Sequence, residues 1–323
     1  MNTSLVCRDY RYGDESQILS LFYRVFQKEM SPAFWNWRFS ENPAGKGIVK
    51  LAFDEEKLVG HYAVIPMNVQ VQGRAVKAAF SMTTMTDPEY SGQGIFTFLA
   101  QETYIASQKR GIHFVYGFPN RNSRYGFEQK LGWQGLSLIN TLEKKAPDKA
   151  RRDPPEKTIE YIEHFDQRFD SLWERVKQDF QVIVPRTAKY LNWRFAKNPE
   201  VDYVKYIVYD DTAVLGYFIL KVYTAGEVIK GHIADMLCIN ERKIMGLLLD
   251  NAYGYFAKEG ISDITCWVPQ NSFYTDFLLG EGFTSKETDT YFGTKTLQDD
   301  DILRESIEPF SNWHLTMADS DVF

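Results

Sequence analysis

The sequence predicts an α/β protein built from two copies of one fold. Three observations carry this: the length, a single linker-like segment and an internal repeat. The chain has 323 residues, and at roughly 150 residues per domain that suggests two domains. Residues 144–157 hold three prolines, nine charges and no large apolar side chain. Such a segment cannot bury a core face and reads as a linker. The expected division is an N-terminal domain over 1–145, a linker over 146–157 and a C-terminal domain over 158–323 that ends in a docked tail. The halves then repeat one another. Trp37-Arg38-Phe39 with Asn42-Pro43 recurs as Trp193-Arg194-Phe195 with Asn198-Pro199, an offset of 156 residues. Gly60 and Gly216 share that offset. Gly111-Ile112 matches Gly260-Ile261, Pro119 with Asn122-Ser123 matches Pro269 with Asn271-Ser272, and Leu131-Gly132-Trp133 is echoed by Glu281-Gly282-Phe283. A period of domain size means two copies of one fold, not a solenoid.

The elements of the first copy follow in order. A short strand lies near Cys7–Tyr10. Asp14 is placed to cap a helix with apolar residues at Ile18, Leu19, Phe22, Val25 and Phe26. Ser31-Pro32 starts a second helix through Phe39, with proline at a tolerated first position. Residues 48–53 and 58–67 form a strand pair around the acidic turn Asp54-Glu55-Glu56, and 76–86 a third strand. Residues 95–110 form a helix with Ile95, Phe98, Leu99, Ile105 and Ala106 on its buried stripe. Lys109 and Arg110 suit its C-terminal dipole and Gly111 its left-handed cap. A strand over 113–118, a helix over 123–131 and a final strand over 133–142 complete the order β-α-α-β-β-β-α-β-α-β.

Composition narrows the function. Hydrophobic residues make up 44% and charged residues 25%, the mix of a soluble globular protein. Aromatics reach 15%, enough for bulky cores or a lined cleft. The net charge of −6 argues against a general nucleic-acid binder, which shows a basic face. Cys7, Cys238 and Cys266 lie too far apart for a disulfide framework or a zinc spacing, so no metal is expected. No signal-peptide pattern opens the chain, and no run of 18 apolar residues crosses a membrane. A cytoplasmic location is expected.

The chemistry is expected where the third strand meets the long helix, at Thr84-Met85-Thr86-Asp87-Pro88-Glu89-Tyr90-Ser91-Gly92-Gln93-Gly94-Ile95-Phe96. Glycines directly before a helix let a ligand approach the backbone closely. The unpaired N–H groups of the first turn then offer an anion site, for which a diphosphate is the natural guest. A tight turn without a ligand explains the two glycines equally well. Neither Walker A nor the dinucleotide fingerprint is matched.

The segment Asp87–Phe96 resembles motif A of GCN5-related N-acetyltransferases, Arg/Gln-x-x-Gly-x-Gly/Ala after a Pro-x-Tyr. Lys130-Leu131-Gly132-Trp133 is close to that family's Lys-Leu-Gly-Phe, and the order of elements is similar across nearly all of the first copy. Ser91 stands where the family has Arg or Gln, and Phe96 where it has a second small residue. The resemblance implies two tandem domains, each with a mixed, mostly antiparallel central sheet flanked by helices. It implies acetyl-CoA, or another acyl-CoA, as cosubstrate. Backbone groups of Thr84, Met85 and Thr86 would pair with the pantetheine arm, and one N–H, assigned to Thr84, would polarise the thioester carbonyl. Ser91, Gly92, Gln93, Gly94, Ile95, Phe96 and Thr97 would surround the pyrophosphate, with N–H groups from Gln93 onward. A neutral amine would attack the thioester directly, which calls for a base and an acid. The family's usual acid, a Tyr, is replaced by Glu128. Tyr125, one turn earlier, is the substitute, its alternative being a half-buried core aromatic. Asn122 resembles the family's cofactor-arm Asn, with Asn120 as close in spacing and helix capping as the competing role. His61, Glu89 and Glu102 are candidate bases by residue type alone.

The second copy reads differently. Its equivalent loop, Leu237–Gly246, lacks the glycine pair and carries Glu241 at the helix start, so conventional coenzyme A binding is not expected there. Trp267, Tyr274 and Phe277 either line an aromatic cleft or fill the core. In one kind of tandem acetyltransferase of this family the chain terminus enters the active site, and a resemblance to it would make Asp319, Asp321 or a terminal carboxylate a further candidate base. The expected function is N-acyl transfer, acetyl in the first instance, to a primary amine of a small metabolite or amino sugar. An aminoacyl-tRNA-dependent transferase of the peptidoglycan-bridge type and a non-catalytic binding or scaffold protein stand as alternatives. No membrane partner is expected, and the sequence leaves the oligomeric state open.

Overall fold

The computed structural model describes residues 5–145, 157–211 and 213–321, so 146–156 of the expected linker fall outside the described residues. The first copy begins with β1 (Leu5–Asp9), α1 (Glu15–Phe26) and α2 (Pro32–Phe39). Ser31 caps α2 by accepting from the Phe34 N–H at 3.1 Å. Asp14 precedes α1 but makes no side-chain cap; its carboxylate holds Arg8 at 2.7 Å and the Arg11 N–H instead. Then follow β2 (Ile48–Asp54), β3 (Lys57–Val71), β4 (Arg74–Thr86), α3 (Ile95–Lys109), β5 (Phe114–Gly117), α4 (Arg121–Tyr125) and β6 (Gln134–Lys145). A π-helical turn over Gly126–Lys130 extends α4. Strands β1 to β4 pair antiparallel in order, and β5 joins β4 in parallel. Ala52, Val59, Tyr62, Val64, Ile95, Leu99, Phe127 and Trp133 form the core between this sheet and α3.

The second copy repeats the order: β7 (Thr158–Tyr161), α5 (Gln167–Val176), β8 (Val182–Ile183), α6 (Ala188–Leu191), β9 (Val204–Asp210), β10 (Ala213–Ala225), β11 (Val228–Cys238), α7 (Arg242–Lys258), β12 (Asp263–Cys266), α8 (Phe273–Gly280) and β13 (Thr284–Thr296). It ends in α9 (Asp301–Ile307) and β14 (Trp313–His314), which pairs in parallel with β8. Strands β7, β9, β10 and β11 pair antiparallel and β12 joins in parallel.

The closing strands depart from expectation. The edge of β5 is taken by residues 293–296 of β13, and the edge of β12 by residues 142–145 of β6. The compact units accordingly comprise residues up to Ser137 with Thr290–Phe310, and Leu138–Asp289 with Ser311 onward. A division at 145 and 158 places 138–145 and 290–310 with the opposite units. The physical reason lies in the edges: β5 and β12 are equivalent four-residue parallel strands, so either accepts an antiparallel closing strand.

The tail docks within the second unit, with Asp319 in a buried cage. Arg186 donates from Nε and Nη2 to Asp235 at 3.1 Å each, and from Nη1 and Nη2 to Asp319 at 2.9 and 2.7 Å. Thr316 and Tyr217 hydroxyls also donate to Asp235, at 2.7 and 2.8 Å. Both ion pairs have 0% side-chain exposure. This corrects the reading of Asp319 as a catalytic base: its oxygens are committed to Arg186. Removing the guanidinium leaves two buried carboxylates facing each other, so Arg186→Met should cost about 3–5 kcal/mol in urea unfolding.

Burial lowers His61 and His232 from 6.5 to about 4 and His314 to about 3. The unfolded chain binds these protons near pH 6.5 and the folded chain does not. Stability is therefore full above 6.5 and falls as pH drops towards 4, by up to about 3 kcal/mol for each histidine. Urea midpoints measured from pH 7 to 4.5 should decline; a flat profile would contradict these buried neutral imidazoles.

Candidate active site

The parallel pairing of β4 with β5 covers Ala78 to Ser81 and stops at Gly117. A Cβ on Gly117 would lie 3.1 Å from the Ser81 carbonyl oxygen, so the last pair needs glycine. Beyond it β5 turns away: Pro119 O accepts from the Tyr291 N–H at 2.8 Å, and Asn120 bridges Thr290. Strand β4 runs on to Thr86 with that edge unpaired. The Asp87 N–H bonds inward to Val59 O at 2.8 Å, so by antiparallel alternation the N–H and C=O of Thr86 point outward, into the opening. Thr84 and Thr86 are half-buried, while Met85 is buried opposite His61.

A bulge re-aims this edge. The β3–β4 register slips between His61 and Ala63, and Thr83 takes a φ of 52°. Two residues, Thr83 and Thr84, therefore oppose Tyr62 alone. The His61 Nδ1 lies 2.7 Å from Thr83 O.

The turn into α3 is anchored by Asp87. It accepts from Arg24 at 3.1 Å and the Glu89 N–H at 3.2 Å, and pairs with Lys57 at 3.3 Å. Burial alone would raise its carboxyl, but these donors outweigh burial and hold it below the usual carboxylate range. Gly92 and Gly94 then adopt φ of +78° and +81°, the left-handed region. Gly94 occupies the N-cap of α3, where no side chain caps the helix and no acid lies in the first turn. The Gln93 N–H closes the hydrogen-bonded turn over Ser91 and Gly92, and among the described residues no N–H from Gly94 to Thr97 has a protein acceptor. Four backbone donors, from Gly94 to Thr97, at the positive end of a 15-residue helix are open to an anion.

The other expected residues are placed as follows. Ser91, Gly92 and Gly94 are exposed, Gln93 and Thr97 half-buried, and Ile95 sits in the core. Phe96 packs on Phe127 at 5.2 Å between ring centroids, and a Cβ on Gly126 would meet its ring at 2.9 Å. Phe96 thus ties α3 to the turn after α4. Asn120, not Asn122, caps α4, in a capping box with Ser123; the Asn122 side chain is left exposed. Tyr125 is 64% exposed, which removes the core-aromatic reading. Glu89 pairs with Lys57 at 2.8 Å on the surface, and Glu102 is half-buried on α3 beside Cys7.

The sequence reading missed a buried hydroxyl chain under this site. Tyr62 OH meets Ser81 Oγ at 2.9 Å and Tyr104 OH at 2.8 Å, and Trp133 Nε1 donates to Tyr104 OH at 2.8 Å. It fastens β3, β4, α3 and the Leu-Gly-Trp segment together. Only the polar ends of four otherwise core-type residues could have signalled it. No group of three or more His, Cys, Asp or Glu among the described residues is placed to hold a metal ion.

The second unit has the same edge, filled. Strand β12 leaves β11 after Ile233. The Ile239 N–H bonds inward to Leu215 O, so Cys238 faces outward as Thr86 does. The Tyr274 hydroxyl takes both groups, accepting from Cys238 N and donating to Cys238 O at 3.2 Å each. Tyr274 stands 149 residues after Tyr125, the offset of the Asn-Ser pair. Trp267, Tyr274 and Phe277 are all buried, so they fill the core and line no cleft. Removing the Tyr274 hydroxyl strands buried backbone groups, so Tyr274→Phe should cost about 1–3 kcal/mol. Tyr125→Phe should stay within about 0.5 kcal/mol, as a surface change. Urea unfolding of both variants checks the contrast.

With this geometry in hand, the comparisons are direct. Residues 7–135 match the family model of an acetyltransferase (GNAT) domain. No curated protein matches the sequence. Among solved structures, a GCN5-related N-acetyltransferase from Anabaena variabilis is similar at a TM-score of 0.71 and 15% identity, covering 91% of this chain and 73% of that one. A probable N-acyltransferase from Enterococcus faecalis gives 0.69 and 15%, with the same coverage. Saccharomyces cerevisiae N-myristoyltransferase, solved with bound myristoyl-CoA, gives 0.64 and 12%, covering 91% and 80%. Residues 7–135 therefore match an acetyltransferase (GNAT) domain, and with the repeat of its element order in the second copy the chain has the fold of two GNAT-like domains in tandem.

Proposed function

We propose that the chain is an N-acyltransferase that moves an acetyl group from acetyl-CoA to a primary amine of a small metabolite or amino sugar. The observation that carries this reading is the open β4 edge beside an uncapped helix N-terminus. The outward groups of Thr84 and Thr86 offer an extended amide arm a strand to join. The free N–H groups from Gly94 to Thr97, beside the turn that holds Gln93, offer a pyrophosphate its donors. Backbone donors need no Arg at Ser91. The thioester then lies along β4, where the Thr84 N–H polarises its carbonyl as charge develops on oxygen. A neutral amine attacks that carbon and forms the C–N bond, the C–S bond breaks, the nitrogen releases a proton to water and the thiolate takes one. Tyr125, exposed on α4, is the donor in this scheme, and Asn122 beside it is free to contact the cofactor arm.

A longer acyl chain is the second reading, favoured by the fold shared with a myristoyl-CoA enzyme. We place the protein in the cytoplasm with no metal and no nucleic-acid or membrane partner. No helix among the described residues is long and apolar enough to cross a membrane.

Calorimetric titration with acetyl-CoA, myristoyl-CoA and coenzyme A is the test. One site per chain is expected for acetyl-CoA, lost in Gly94→Trp, because Gly94 is open around its Cα and an indole there would cover the helix start. Thiol release with a panel of primary amines then reads the transfer. Two sites per chain, or none in a folded protein, would refute the assignment.

A further inference from the structure

The bulge in β4 is held by a side chain from the neighbouring strand. Thr83 is β-branched and sits at a φ of 52°, a conformation such residues rarely adopt. A backbone of that kind persists only where its surroundings impose it. The His61 ring nitrogen at 2.7 Å from Thr83 O is the imposing contact. A carbonyl oxygen can only accept, so Nδ1 carries the proton. His61 is 1% exposed, and its Nε2 has no hydrogen-bond partner. The ring is wedged edge-on to Trp35 at 5.6 Å and Phe39 at 6.3 Å between centroids, both from α2. An imidazole so enclosed has one polar contact, and that contact is the bulge.

The second copy makes the same join for another purpose. Tyr217 stands where His61 does, 156 residues on. It reaches the slipped register of β10 and β11 and donates to Asp235. There the link feeds the Arg186 cage, and the adjoining edge is shut by Tyr274. Where the edge is open, the link ends on a backbone carbonyl; where it is closed, it ends in an ion cluster.

We propose that His61 is a positioning residue for acyl-CoA: by donating from Nδ1 to Thr83 O it fixes the bulge that turns the Thr84–Thr86 edge towards the thioester arm. This rests on the acyl-CoA reading of the site. The role belongs to one nitrogen, so the two halves of the imidazole can be separated. Asparagine places its amide nitrogen near Nδ1 and has nothing at Nε2, whereas leucine has no donor.

The test compares wild type, His61→Asn and His61→Leu by calorimetry with acetyl-CoA, with thermal unfolding of each. His61→Leu should bind at least about tenfold more weakly, and His61→Asn should recover to within about threefold of wild type. A role in packing alone predicts lower stability in both with affinity kept by the folded fraction, and that result overturns the proposal. Nitrogen NMR of wild-type His61 gives a readout independent of either variant. A proton on Nδ1 is expected, and a proton on Nε2 overturns the latch even where acetyl-CoA binds. Wild type that shows the Nδ1 proton but does not bind acetyl-CoA refutes the site reading, and the positioning role with it.

Discussion

A strand edge with no partner is the constraint on which the first copy turns. Parallel strands β4 and β5 pair over four residues and then part. Exposed edge groups are a liability that proteins usually cover or pair. Here the divergence is built in: Gly117 allows the last close pair, and the Tyr291 backbone draws the chain after β5 to its other side. The helix that follows β4 starts on a left-handed glycine without a side-chain cap. Two sets of unpaired backbone groups, one on a strand and one on a helix, therefore lie on either side of the turn that links β4 to α3. Backbone recognition of this kind tolerates changes in side chains, which is why Ser91 and Phe96 can depart from the family pattern while the geometry survives.

The second copy shows the same constraint resolved by filling. Its edge groups at Cys238 are satisfied by Tyr274, and its helix begins at Glu241 without the glycine pair. The space beside its bulge holds Arg186 between two carboxylates. A buried ion cluster of this sort is a costly way to gain stability compared with apolar packing, but it fixes one arrangement because every partner is needed. It joins the tail, β11 and the segment before α6 within one unit. The fold is the same, but the backbone groups that stay open at Thr86 are satisfied by a side chain at Cys238.

Much of this was legible in the residues. Offsets of 156 and 149 residues between matching motifs revealed two copies because a fold repeats its glycines, caps and core patterns wherever it recurs. Local patterning found every main element of the first copy but not every buried position: Phe26 and Ile105 are exposed, Leu21 is buried, and β2 and β3 are covered on both faces. Gly92 and Gly94 marked the helix start because only glycine takes that backbone without strain. Asp14 and Asn122 went the other way. Both are competent cap residues by type, yet Asp14 is claimed by Arg8 and the α4 cap falls two residues earlier, at Asn120. Local propensity cannot choose between a cap and a nearby charge, or between two asparagines two residues apart.

The sequence by itself determined the number of copies, the order of elements, the position of the candidate loop and the absence of its glycine pair from the second copy. These depend on short-range patterns of burial and backbone freedom, which are written residue by residue. Only the tertiary structure decided which strand closes which sheet, that Asp319 is locked on Arg186, that Tyr274 fills an edge Tyr125 leaves open, and that His61 holds the bulge. Each of those is a contact between residues far apart in the chain, chosen by which donor, acceptor or strand edge remains unsatisfied after the local structure has formed.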